Sequence, residues 1–85
     1  MLYGAGQDYN PLVAIRPVEF PPSTNIADII YDDETRTMTI LFQKGAVYEY
    51  QEVDEITVNG FRTAVSATDY LKAFVANSYP SRRVR

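Results

Sequence analysis

The stretch TMTILFQKGAVYEY, residues 37–50, contains two runs of alternating side chains separated by a short turn. In the first run, Met38, Ile40 and Phe42 alternate with Thr37, Thr39 and Leu41. In the second, Tyr48 and Tyr50 alternate with Val47 and Glu49. Because successive strand side chains point to opposite faces, each run predicts a β-strand. Gly45 supplies the positive φ that a tight turn between antiparallel strands needs, so the stretch predicts a hairpin.

A further strand is predicted just before this hairpin. Residues 26–31 are rich in β-branched and aromatic side chains, which favour strands. The polar segment Asp32-Asp33-Glu34-Thr35-Arg36 that follows is short and turn-forming. The sequence therefore predicts a three-stranded antiparallel β-meander.

Beyond Val53 the pattern changes from alternation to helical spacing. Asp54 and Glu55 suit the start of a first helix. Ser66 resembles an N-cap for a second helix over residues 67–77, which Pro80 ends. Its expected sheet-facing stripe is Tyr70, Leu71, Phe74, Val75 and Ser78. The predicted fold is α+β, with the three-stranded meander covered by two short C-terminal helices.

Residues 1–22 form a segment of different character, which we call the N-terminal arm. Glycines and prolines interrupt any helical or alternating pattern of apolar residues, which predicts an extended chain. The arm is nevertheless rich in apolar residues, unlike a solvated tail. We therefore predict that it docks on a surface of its own domain, residues 23–85, or of a neighbour. The candidate contact residues in the arm are Leu2, Tyr3, Tyr9, Leu12, Val13, Ile15 and Phe20.

The composition restricts the classes of function. A chain of 85 residues has room for one core only. It has neither cysteine nor histidine, so the strongest side-chain nucleophile and the usual base near neutral pH are both missing. We expect no enzymatic activity, no cofactor and no metal site, with Ser66 as a cap rather than a nucleophile and residues 32–34 as a solvated turn.

The net charge of −3 is unevenly distributed. Residues 26–55 are acidic, whereas residues 61–85 are basic and end with the cluster Arg82, Arg83 and Arg85. A charge dipole of this kind suits contacts between copies or with a polar protein surface, and a nucleic-acid domain is usually basic overall. The arginines either remain solvated, pair with an acidic protein surface, or contact a phosphate backbone.

Tyr48 and Tyr50 are expected on one face of their strand, and that face has two alternative environments. If it meets the helices, the two tyrosines belong to the core and their hydroxyls lie at its rim. If it is open, the paired rings offer a stacking platform for bases or an adhesive patch for protein.

These segments, taken in order, resemble the KTSC domain, a module named for its occurrence at the C-terminus of some lysyl-tRNA synthetases. The matching stretches are Ser23-Thr24-Asn25-Ile26, Tyr31-Asp32, residues 37–42, Gly45-Ala46-Val47-Tyr48-Glu49-Tyr50, Val53, Phe61, Ala64, Ser66 and Tyr79-Pro80-Ser81-Arg82-Arg83-Val84. The resemblance implies a binding module without known catalysis, for which RNA binding has been suggested. Stand-alone copies are similar to small proteins of bacteria and their phages. Asp54, Thr68 and Lys72 depart from the family pattern.

Two functional hypotheses follow. The first is a non-enzymatic structural module that docks through its arm on a protein partner or a second copy, for example as a bacteriophage virion or assembly component. The second is an RNA-binding module that uses Tyr48, Tyr50 and the C-terminal arginines. No signal peptide and no membrane-spanning run is present, so the cytoplasm of a bacterial host, or a virion, is the expected location.

Overall fold

The computed structural model describes residues 15–85, and one antiparallel sheet forms its centre. The strand order across the sheet is the order in the chain, β1-β2-β3-β4-β5. The five strands are β1 (Ile15–Pro17), β2 (Ile26–Asp32), β3 (Thr37–Phe42), β4 (Val47–Tyr50) and β5 (Ser81–Arg83). The predicted antiparallel meander is confirmed as β2, β3 and β4.

The prediction of three strands is wrong, because this part of the chain contains two more at the sheet edges. β1 pairs with β2, and β5 pairs with β4. Both are three residues long, too short for alternation to be recognised in the sequence. They are strands because a neighbouring strand supplies their hydrogen-bond partners. This is a tertiary effect, which the local sequence propensity of three residues cannot show.

The hairpin of β3 and β4 places the large side chains of both strands on one face. Met38 lies opposite Tyr50, and Ile40 lies opposite Tyr48. Gly45 has a φ of 101° in the connecting turn, a conformation that costs glycine little. The turn therefore fixes a register in which the apolar residues of both strands reach the same core.

A bulge in β2 explains an irregular burial pattern. The pairing of β2 with β3 shifts between Ile26 and Asp28. Ile26 and Ile29 are consequently both buried although they are three positions apart, which a regular strand would not allow.

Two short helical segments follow the sheet. Helix α1 (Glu55–Gly60) runs into a 3-10 turn (Phe61–Thr63), and helix α2 (Ala67–Tyr70) runs into a π turn (Leu71–Val75). The Ala76 N–H donates to the Leu71 carbonyl at 2.8 Å, the spacing of the wider turn. Both segments were predicted, although each is shorter and less regular than a uniform α-helix.

The core lies between these helical segments and one face of the sheet. Val58, Phe61, Leu71 and Val75 on the helical side are buried together with sheet residues of the face that bears Ile40. The buried residues are Val18, Ile26, Ile29, Tyr31, Met38, Ile40, Tyr50, Val53, Val58, Phe61, Ala67, Leu71 and Val75. The helices therefore cover one face of the sheet, and within residues 15–85 no helix lies on the other.

Both edge strands carry residues that oppose further strand pairing. Pro17 in β1 has no N–H to offer to another strand. β5 carries the exposed pair Arg82 and Arg83, whose charge opposes stacking of like edges. Both edges of the sheet are therefore poorly suited to pairing with a further strand.

Ser66 is the N-cap of α2, as its sequence position predicts. Its hydroxyl accepts a hydrogen bond from the Asp69 N–H at 3.2 Å. Ser66→Ala leaves that donor to water, so we expect a loss of about 1 kcal/mol in the free energy of unfolding. Urea denaturation measures this loss, with Ser66→Asp as the control because it restores an acceptor. A Ser66→Ala protein as stable as the parent would contradict the capping role.

Candidate interaction surface

The face of the sheet opposite the helices, which we call the open face, consists of side chains that alternate with the buried ones along the strands. Its members are Ile15, Asp28, Ile30, Asp32, Thr37, Thr39, Leu41, Val47, Glu49 and Gln51. Ile30 is 38% exposed and Ile15 is 42% exposed, which is unusual for isoleucines in a sheet. The open face therefore presents apolar side chains to solvent.

Two neighbouring grooves lie on the open face. The larger, of about 460 Å³, is lined by Ile15, Ile30, Asp32, Thr35, Thr37, Thr39, Glu49 and Gln51. The smaller, of about 250 Å³, is lined by Asp28, Ile30, Thr39, Leu41, Val47 and Arg85. Ile30 and Thr39 belong to both grooves. The two grooves are therefore adjacent, and we call the apolar residues of the smaller one, Ile30, Leu41 and Val47, the apolar floor.

The charged margin of the open face is held by local hydrogen bonds. The Asp32 carboxylate accepts from the Glu34 N–H at 2.9 Å and the Thr35 N–H at 3.3 Å. Asp28 accepts from the Ile29 N–H at 3.0 Å. These contacts order the acidic margin without covering the apolar floor.

The structure places only part of the arm's candidate contacts. Leu2, Tyr3, Tyr9, Leu12 and Val13 lie outside the described residues. Ile15 lies in β1 and lines the larger groove of the open face. Phe20 packs against the core, so its ring already has a partner within the domain.

Tyr48 and Tyr50 lie on the face that the helices cover. Their rings stack at 6.5 Å between centroids, and Tyr50 is only 6% exposed. Burial raises the pKa of Tyr50 above its usual range, and the neighbouring Tyr48 adds to the effect. Tyr48 is half-buried and meets the edge of Phe42 at 5.8 Å. A base could therefore reach Tyr48 alone, not a pair of open rings.

The C-terminal arginines do not converge on one surface. Arg82 donates to the Glu49 carboxylate of the open face at 3.0 Å. Arg83 lies opposite Tyr48 in the register of β4 and β5, and its Nε donates to the Arg85 carbonyl at 3.1 Å. Arg85 lines the smaller groove. All three are exposed.

The remaining buried hydroxyls serve the fold. Tyr31 donates to the Val53 carbonyl, and Tyr70 donates to the Thr57 carbonyl, each at 2.7 Å. Burial raises the pKa of both phenols.

Within residues 15–85, every buried side-chain nitrogen and oxygen has a hydrogen-bond partner, and no cluster of three or more acidic, His or Cys side chains could hold a metal ion. No helix of this region is long and apolar enough to cross a lipid bilayer.

The sequence prediction missed the residues at the centre of the open face. Ile30, Leu41 and Val47 are not among the candidate contacts, although alternation places them opposite the core residues. The outward-facing positions of each of these strands are otherwise polar, so the available signal was the single apolar residue among them, Ile30 in β2, Leu41 in β3 and Val47 in β4. A half-solvated sheet would carry mostly polar residues on its outer face.

These features define a small α+β module with one covered and one open sheet face. The sequence profile of the KTSC domain matches residues 22–79, and the chain belongs to the KTSC domain family. The resemblance inferred from the motifs is thereby confirmed.

A crystal structure of a KTSC domain protein from Yersinia pestis is similar to this chain, with a TM-score of 0.72 and 26% sequence identity. The match covers 85% of this chain and 100% of that one. None of the curated proteins compared with the chain is significantly similar to it.

Proposed function

We propose that this KTSC domain is a non-enzymatic protein-interaction module that docks on a partner through its N-terminal arm. The observation that carries the proposal is the exposed Ile15, which connects the apolar arm directly to the open face. Residues 1–14 are thus joined to the sheet beside a groove that contains two exposed isoleucines, Ile15 and Ile30.

The chemistry of the arm suits this function. Residues 1–14 contain five of the candidate apolar contacts and a single charged side chain, Asp8. Burial of such a segment is favourable by roughly 25 cal/mol for each Å² of apolar surface removed from water. The partner that the proposal places first is a neighbouring subunit of an assembling particle, for example a bacteriophage virion.

RNA binding is the second candidate, and the observation in its favour is the exposed Arg83 beside the half-buried Tyr48. Against it stand the buried Tyr50 ring, the ion pair of Arg82 with Glu49 and the net charge of −3. One stacked base contributes about 1–3 kcal/mol, which is little against the repulsion of phosphate by the acidic turn.

Affinity purification from the native source tests the proposal with the full chain and a chain that lacks residues 1–14. The truncation stops before Ile15 because β1 pairs with β2 and Val18 is buried in the core. We expect the truncated chain to lose the proteins that the full chain captures. The result should be the same with and without nuclease, which removes RNA from the extract. Val65→Glu, at a fully exposed apolar position on the helical side, is the matched control and should retain them.

Two results would contradict the proposal. Capture of the same proteins by both chains would show that residues 1–14 take no part in the interaction. Capture that depends on intact RNA and falls steeply with salt would favour the second candidate.

A further inference from the structure

We infer that the partner of the arm is a second copy of this chain, whose open face receives residues 1–14. The inference rests on the proposed function and specifies both the receiving surface and its owner. Three observations carry it: where the arm joins the sheet, in which direction it leaves, and how far it reaches.

The arm joins the sheet at the margin of the larger groove. Ile15 is the first described residue, and its side chain lines that groove together with Ile30. The donor segment and the receiving surface are therefore adjacent in each copy. Two copies related by a two-fold axis near this margin can exchange arms reciprocally, because one patch contains both parts.

The direction of β1 favours exchange over folding back. β1 is antiparallel to β2, and Ile15 lies opposite Asp32, the last residue of β2. The N-terminal end of β1 therefore lies at the end of the sheet that bears the turn between β2 and β3. To cover its own open face it must reverse, and the nearest turn-forming pair is Asn10-Pro11. A second copy that lies beyond that end of the sheet can be reached without such a reversal.

The arm is long enough for this contact. Residues 1–14 span up to about 45–50 Å when extended, whereas the open face measures about 15 Å from β1 to β4 at the usual strand spacing. The apolar floor formed by Ile30, Leu41 and Val47 suits the arm's leucine and tyrosine side chains. Residues 1–14 carry only one charged side chain, Asp8, so the acidic margin opposes their approach only weakly.

Light scattering coupled to size-exclusion chromatography tests the exchange. We expect the full chain to elute with roughly twice its 9.6 kDa mass at high concentration. Removal of residues 1–14, and Ile30→Glu in the full chain, should each weaken the dimer about 10-fold or more, because both remove apolar burial. Val65→Glu, equally charged but on the helical side, should leave the dimer unchanged.

A second measurement locates the contact. A synthetic peptide of residues 1–14 is titrated into an isotope-labelled chain that lacks them, after circular dichroism and thermal melting show that this chain is folded. We expect amide chemical-shift changes at residues 28–32 and 37–41. Changes confined to the helical side, or none at millimolar peptide, would overturn the inference.

A full chain that remains monomeric at high concentration would also overturn it, and the arm would then fold back in cis or bind another protein. A dimer whose affinity is unchanged by Ile30→Glu would overturn the assignment of the open face as the receiving surface. Neither result affects the purification experiment, in which loss of other captured proteins on truncation would still support the proposed function.

Discussion

Phe61→Ala is expected to remove about half of the free energy that keeps the domain folded. The ring is fully buried in the 3-10 turn after α1 and meets Tyr70 edge to face at 4.6 Å between centroids. Truncation of a buried phenylalanine typically costs about 3–5 kcal/mol. A domain of this size has a free energy of unfolding of only about 5–10 kcal/mol, so the loss is a large fraction of the total.

Thermal and urea denaturation measure the effect of Phe61→Ala. The expected loss corresponds to a fall in Tm of at least about 12 °C. Phe74→Ala is the matched control, because Phe74 is 56% exposed and the substitution removes the same atoms from the same helical side. It should change the free energy of unfolding by less than about 1 kcal/mol. Equal losses in the two variants would contradict the placement of Phe61 in the core.

The contrast between the two phenylalanines shows where helical periodicity failed as a predictor. The expected stripe included Phe74, yet only Leu71 and Val75 of that stripe are buried. The segment changes from α to π geometry at Leu71, so an ideal spacing of 3.6 residues per turn no longer describes which side chains face the sheet. In α1, Ile56 is 86% exposed, whereas Val58 and the following Phe61 are buried.

The central hairpin was predictable because its information is local. Alternation in residues 37–42 and 46–50, with Gly45 between them, determines both the strands and their turn. The outer strands were not predictable in the same way. β1 and β5 have three residues each, and their conformation depends on partners far along the chain.

The open face was half predictable. Alternation assigns Ile40 and Thr39 to opposite faces, but it does not say which face the helices cover. That choice follows from packing, since Val58, Phe61 and Leu71 reach the sheet on the side of Ile40. Once this side is known, the other face is the one on which Ile30 is exposed to solvent.

Gly60 at the end of α1 lies very close to the side chain of Tyr70. Gly60 ends α1 with helical dihedrals, φ −63° and ψ −23°, so its backbone does not require glycine. A Cβ at this position would nevertheless overlap the hydroxyl end of Tyr70. The Tyr70 ring cannot move freely, because it contacts Phe61 and Phe74 and donates to the Thr57 carbonyl.

Gly60→Ala should therefore destabilise the domain by about 1–3 kcal/mol through overpacking, although alanine has the better helix propensity. The sign should reverse when Tyr70 is absent. In a Tyr70→Ala background, Gly60→Ala should be neutral or stabilising by up to about 1 kcal/mol, because the overlap is gone and only the propensity gain remains. Urea denaturation of the four proteins gives the coupling energy of the pair, which we expect to exceed about 1 kcal/mol. If Gly60→Ala has the same effect in both backgrounds, the glycine is present for a reason other than contact with Tyr70.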